Sequence, residues 1–118
     1  MKTSEIEAKV RELATKHPDT IYQPNGSSCE YTKGTSIPGY SGCIIGVAIQ
    51  MLYPERTGDL RRFDEEANGL AICDLYEEMN IEQDLKSTIL TNFQALQDDG
   101  GEWGTCLKEA GRTKRKLS

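Results

Sequence analysis

Cys43 is the residue whose type and position best suit nucleophilic chemistry. It opens an apolar run, CIIGVAIQML, that is long enough for a helix, and Ser41 is a candidate N-cap just before it. A thiol in the first turn of a helix lies near the positive end of the helix dipole, which favours the thiolate. A cysteine nucleophile also needs a base, and the single histidine, His17, belongs to the end of the first predicted helix, with no sequence feature that places it beside Cys43.

A thiol buried in the core is therefore the favoured interpretation of Cys43. The alternative is a thiol-dependent enzyme or small-molecule binder with Cys43 at its centre and three residues nearby: Cys29, Tyr31 and Asp98. The sequence contains no phosphate-binding glycine loop, no paired-histidine metal motif and no serine nucleophile elbow. The prediction thus leans away from an enzyme.

The four cysteines raise a second possibility, a tetrahedral thiolate site for zinc. They are Cys29, Cys43, Cys73 and Cys106. Structural zinc sites usually take their ligands in close C-x-x-C-like pairs, whereas the smallest spacing here is 14 residues. Cys73 and Cys106 also adjoin apolar residues, and the sequence begins without a secretion signal, which favours reduced thiols. We therefore predict core packing, no metal and no cofactor, with a structural zinc protein as a further alternative.

Carboxylates are concentrated in the second half of the chain. Three of them surround two glycines in the segment 97–102, which lacks the alternating acidic spacing of a calcium loop and instead predicts a helix end followed by an acidic first turn. Others are spread over two predicted helices: Asp64, Glu65, Glu66, Asp74, Glu77 and Glu78. That group is typical of a solvated face, and it is also the best candidate for a surface that docks a basic partner.

The net charge of −5 is unevenly distributed. Residues 1–111 hold ten basic and nineteen acidic residues, a net of −9, so a nucleic-acid-binding surface on the folded body is disfavoured. The segment 111–118 holds four basic residues and no acid: Arg112, Lys114, Arg115 and Lys116. It is predicted to be a solvated, disordered tail, and contact with an anionic partner is the alternative.

The elements that must position these side chains are mostly helical. Ser4 and Glu7 match a capping box at the start of a first helix, which Pro18 should end near His17. The β-prone runs 20–23 and 29–32, separated by a turn-rich loop, predict a hairpin. Cys43 to Leu52 is apolar nearly all round and predicts a buried helix, in which Gly46 indicates close approach of another backbone, such as the hairpin.

Further helical periodicity follows around Leu60, Leu75, Phe93 and Trp103. We therefore expect an α+β fold that is predominantly α. It would be a compact domain of five to six helices, spanning residues 1–110, with one small β-hairpin after the first helix. Trp103 is expected to pack its helix onto the core, and an exposed anchor for a partner is its alternative role.

Three short motifs carry a family resemblance. They are Cys29-x-Tyr31, then Cys43-Ile44-Ile45-Gly46 at the start of the apolar helix, and Phe93-Gln94-x-x-Gln97-Asp98 followed by Trp103-Gly104. This arrangement resembles small uncharacterised proteins of bacteria and their phages, many of them actinobacterial, that share a C-x-x-G helix start and a late Q-D-x-G-x-x-W-G segment. The resemblance covers roughly residues 21–110 and implies a common fold, with no activity attached.

Together these features predict a cytoplasmic protein without a membrane span, because no apolar run approaches the length that a bilayer requires. The leading functional hypothesis is a non-enzymatic accessory protein of bacterial or phage type. It would bind another macromolecule, a protein partner in the first place, through its acidic helical surface.

Overall fold

The computed structural model describes residues 1–24, 30–67, 72–85 and 88–117, and the side chains within 1–24, 30–65, 75–85 and 88–111. In those parts of the chain the regular elements are helices: α1 (Thr3–Lys16), α2 (Ile44–Leu52), α3 (Thr57–Ala67), α4 (Ile72–Glu78), α5 (Leu90–Asp98) and α6 (Trp103–Leu117), with a single 3₁₀ turn, Pro54–Arg56, between α2 and α3. The first helix ends at Lys16, as Pro18 predicted. The fold of the described residues is all-α.

The expected α+β class and its hairpin are therefore wrong. Gln23 pairs instead with Thr35, through two backbone hydrogen bonds of 2.8 Å, in an isolated bridge. A ladder between 20–23 and 30–32 would need the backbone N–H groups of residues 30–32, but these groups donate to side chains instead. The hydroxyl of Tyr22 accepts the N–H of Glu30 (3.1 Å), and the carboxylate of Asp64 accepts the next two backbone N–H groups. The segment is thus an extended loop held by side chains.

The apolar helix α2 is the centre of the molecule, as its composition predicted. Its residues from Ile44 to Ile49 are all buried, and the helix contacts α1, α3 and α5. Those neighbours supply amphipathic faces, for example the one that Ile6, Val10 and Leu13 form on α1. The core therefore assembles around α2 from several sides.

Glycine brings a second backbone onto α2. A Cβ added at Gly46 would overlap the carbonyl oxygen of Tyr31, and one added at Gly42 would overlap the same atom. Gly42 also has a φ of +118°, a conformation that other residues rarely adopt. The predicted close approach at Gly46 is confirmed, and the backbone that approaches belongs to the loop containing Tyr31.

The predicted capping box at the start of α1 is wrong. The helix begins at Thr3, so Ser4 lies within its first turn, and the carboxylate of Asp84 accepts both the backbone N–H of Ser4 (2.9 Å) and its hydroxyl. Those two hydrogen bonds hold the pKa of Asp84 below its usual value. Glu7 turns to another helix and accepts the N–H of Ile89 at 2.8 Å, just before α5. The starts of α1 and α5 are thus capped by residues distant in sequence.

The link from α2 to α3 is also tied to α1. The hydroxyl of Tyr53, which follows α2, donates a hydrogen bond of 2.6 Å to the carboxylate of Glu5 on α1. Because the neutral phenol is the donor, this contact raises the pKa of Tyr53 to about 12. The phenol consequently stays protonated throughout the neutral range.

The last helix packs on α5 and α1. Trp103, Cys106 and Ala110 are buried on one face of it, so the predicted packing of Trp103 onto the core is confirmed. The helix continues past Ala110, where the sequence placed the end of the globular domain, to Leu117. Within the described ranges, none of the helices combines the length and hydrophobicity that crossing a bilayer would take.

Replacement of Gly46 by alanine tests the packing of the Tyr31 backbone on α2. The added methyl group would overlap a backbone atom, so the helix or the loop must move, and we expect Gly46→Ala to lower the free energy of unfolding by about 3 kcal/mol or more. Gly58→Ala is the matched control, because a Cβ there meets nothing within 4 Å. The control should change the stability by less than about 1 kcal/mol. Urea denaturation measures both, and equal effects of the two substitutions would contradict the packing described.

Candidate functional site

Residues of the Cys43–Gly46 segment and of the segment from Phe93 to Trp103 meet at the N-terminus of α2. The side chain of Gln97, on α5, is almost fully buried there, with 1% of its surface exposed. Its oxygen Oε1 accepts two hydrogen bonds, one from the backbone N–H of Ile44 (2.9 Å) and one from the indole N–H of Trp103 (3.0 Å). The Gln97 side chain, which belongs to α5, therefore caps α2 and also anchors α6.

Cys43 occupies the N-cap position of α2, and its thiol is closed off from solvent, with 0% relative exposure. Its backbone N–H donates to the carbonyl of Glu30 at 3.0 Å. The amide nitrogen of Gln94 lies 3.6 Å from Sγ, and the oxygen of the same amide accepts a hydrogen bond from Gln97 at 3.4 Å. The thiol thus lies at the end of a short series of hydrogen bonds between the side-chain amides of Gln94 and Gln97. A substrate would reach it only if the surrounding helices separated.

The residues expected near Cys43 in the thiol-enzyme alternative have different surroundings. The ring of Tyr31 is buried edge-on against Phe63, with 5.8 Å between ring centroids. Asp98 is exposed at the end of α5, and Cys29 lies outside the described residues. The structure brings Cys43 together with glutamine side chains, which are hydrogen-bonding groups without acid–base capacity near neutral pH.

The cysteines expected to complete a zinc site are only partly described. Cys43 and Cys106 are free, buried thiols, and burial raises the pKa of Cys106 to about 11. The side chains of Cys29 and Cys73 lie outside the described set. Among the side chains that the structure describes, no three His, Cys, Asp or Glu residues are grouped so that they could hold a metal ion.

The acidic candidates divide into two kinds. Asp64 is half-buried and structural: its carboxylate accepts the N–H groups of Tyr31 (2.9 Å) and Thr32 (2.7 Å) and the hydroxyl of Thr32 (2.6 Å). It therefore fixes the loop that packs on α2. The exposed members are Glu65 on α3 and, on α4, Glu77 and Glu78. The side chains of Glu66 and Asp74 lie outside the described set.

Gln50 and Gln97 connect separate elements through hydrogen bonds, a role that the sequence did not predict. The amide nitrogen of Gln50 donates to the carbonyl of Tyr31 (3.2 Å) and to that of Ser41 (2.8 Å), which ties the loop to α2. A signal for Gln97 is present in the sequence, since Leu90, Phe93 and Gln97 fall on one helical face. A polar residue on an otherwise apolar face needs a buried partner, and a nearby tryptophan N–H is a suitable one.

Comparison of the chain with protein-family models, with curated proteins and with solved structures finds no match. The interpretation of the site therefore rests on its geometry alone. That geometry is a closed polar cluster that joins α2, α5 and α6.

Substitution of Gln97 by methionine tests the amide cap. Methionine has a similar length and no strong acceptor, so the N–H of Ile44 and the indole N–H of Trp103 lose their shared partner. At roughly 1–3 kcal/mol for each buried unpaired donor, we expect a loss of about 2–6 kcal/mol in the free energy of unfolding. Gln83→Met, at an exposed position, is the control and should stay within about 0.5 kcal/mol of the parent. A Gln97→Met protein as stable as this control would show that the hydrogen bonds contribute little.

Alkylation of Cys43 tests the closure of the site. Because the reagent reaches the thiol only when the structure opens, iodoacetamide should label Cys43 at neutral pH roughly a thousandfold more slowly than in the chain unfolded by urea. Peptide mapping by mass spectrometry separates Cys43 from the other cysteines, and the same thiol in urea is the reference. Labelling in the folded protein that matches or exceeds the unfolded rate would restore the thiol-enzyme hypothesis.

Proposed function

We propose that the protein is a non-catalytic accessory factor that binds a basic surface of another macromolecule, most simply a protein, through the carboxylates of α3 and α4. The acidic surface is defined by Glu65, Glu77 and Glu78, together with Glu66 and Asp74 from the sequence. The observation that supports the proposal is the excess of acidic over basic residues in residues 1–111.

The basic residues of the body are concentrated on a few carboxylates. Among the side chains that the structure describes, six basic residues form ion pairs with four acidic residues, and the partners in each pair are three or four positions apart: Lys9 and Lys16 with Glu12, Arg11 with Glu7, Lys33 with Glu30, and Arg56 and Arg62 with Asp59. The rest of residues 1–111 holds fifteen acidic and four basic residues. Acidic residues therefore outnumber basic residues in the body, and this excess of negative charge attracts a cationic partner.

The faces of α3 and α4 suit this role. On α3, Leu60 and Phe63 are buried while Glu65 is exposed, and on α4 the buried Leu75 and Tyr76 precede the exposed Glu77 and Glu78. The apolar faces thus hold the helices in place and leave the carboxylates free to contact a partner. Carboxylates that steer a partner chiefly raise the association rate and make it sensitive to salt.

The internal cluster supports a scaffolding role for Cys43. Its thiol is buried beside Gln94, and the amide chain that it ends also caps α2. We further propose that the chain belongs with the small bacterial and phage proteins that have the C-x-x-G and Q-D-x-G-x-x-W-G motifs. This is supported by the contact between Cys43 of the first motif and the glutamines of the second.

The test is affinity capture with the full-length protein as bait in a lysate of its source organism. A charge-reversal variant, Glu65→Lys/Glu77→Lys/Glu78→Lys, should lose a partner that the parent retains, with recovery reduced by about tenfold or more at low salt. The captured partner should itself present a basic surface, and its recovery should fall as salt is raised.

The matched control reverses three exposed acids elsewhere, Asp19→Lys/Glu82→Lys/Asp99→Lys, and so has the same net charge. It should retain the partner. If both variants lose the partner equally, binding follows the net charge alone and the assignment to α3 and α4 is wrong. If no partner is enriched over an unrelated acidic bait, the proposal fails altogether.

A further inference from the structure

We draw no further inference here: the strongest candidate, the uncharged surface patch beside the Gln23–Thr35 bridge where Ile21 and Tyr40 are exposed, carries nothing because no contact in the part of the chain that the structure describes shows what covers it.

Discussion

The backbone of Tyr31 packs directly against α2, and the glycines at positions 42 and 46 make that approach possible. A buried carbonyl needs a partner, which Gln50 of α2 supplies, and the adjacent N–H is satisfied by Asp64 of α3. The loop is therefore fixed from two helices at once. Its preceding carbonyl, that of Glu30, accepts the N–H of Cys43, so the position of the thiol follows from the position of the loop.

The same logic extends to the helix starts. Gln97 caps α2, Asp84 caps α1, and Glu7 satisfies the backbone N–H that precedes α5. Each capping side chain satisfies a backbone N–H at a helix start and also links that helix to another part of the chain. Loss of the cap therefore removes a tertiary contact as well as a helix cap. Carboxylates at these N-termini also complement the helix dipoles. Part of the acidic character of the chain is thus structural, and only the remaining carboxylates are available to a partner.

The helical character of the chain, the burial of α2 and the close approach at Gly46 could be predicted from the sequence, because they depend on local periodicity and on the small size of glycine. The sequence was insufficient where a backbone group finds its partner far along the chain. Gln97 and Ile44 are 53 residues apart, and Asp64 is more than thirty residues from the N–H groups that replace the expected hairpin. Composition likewise could not separate Asp64, which holds a loop, from its neighbour Glu65, which is exposed.

A rigid scaffold requires that the cluster at the start of α2, formed by Cys43, Gln94, Gln97 and Trp103, stays closed. Amide hydrogen exchange at Ile44, followed by NMR, tests this most directly. If Gln97 caps α2 in a closed core, the Ile44 amide should exchange only through global unfolding, with an opening free energy equal to that of unfolding in urea. An opening free energy several kcal/mol below the global value would mean that the cluster opens locally, and it would contradict this account of α2 and of its buried thiol.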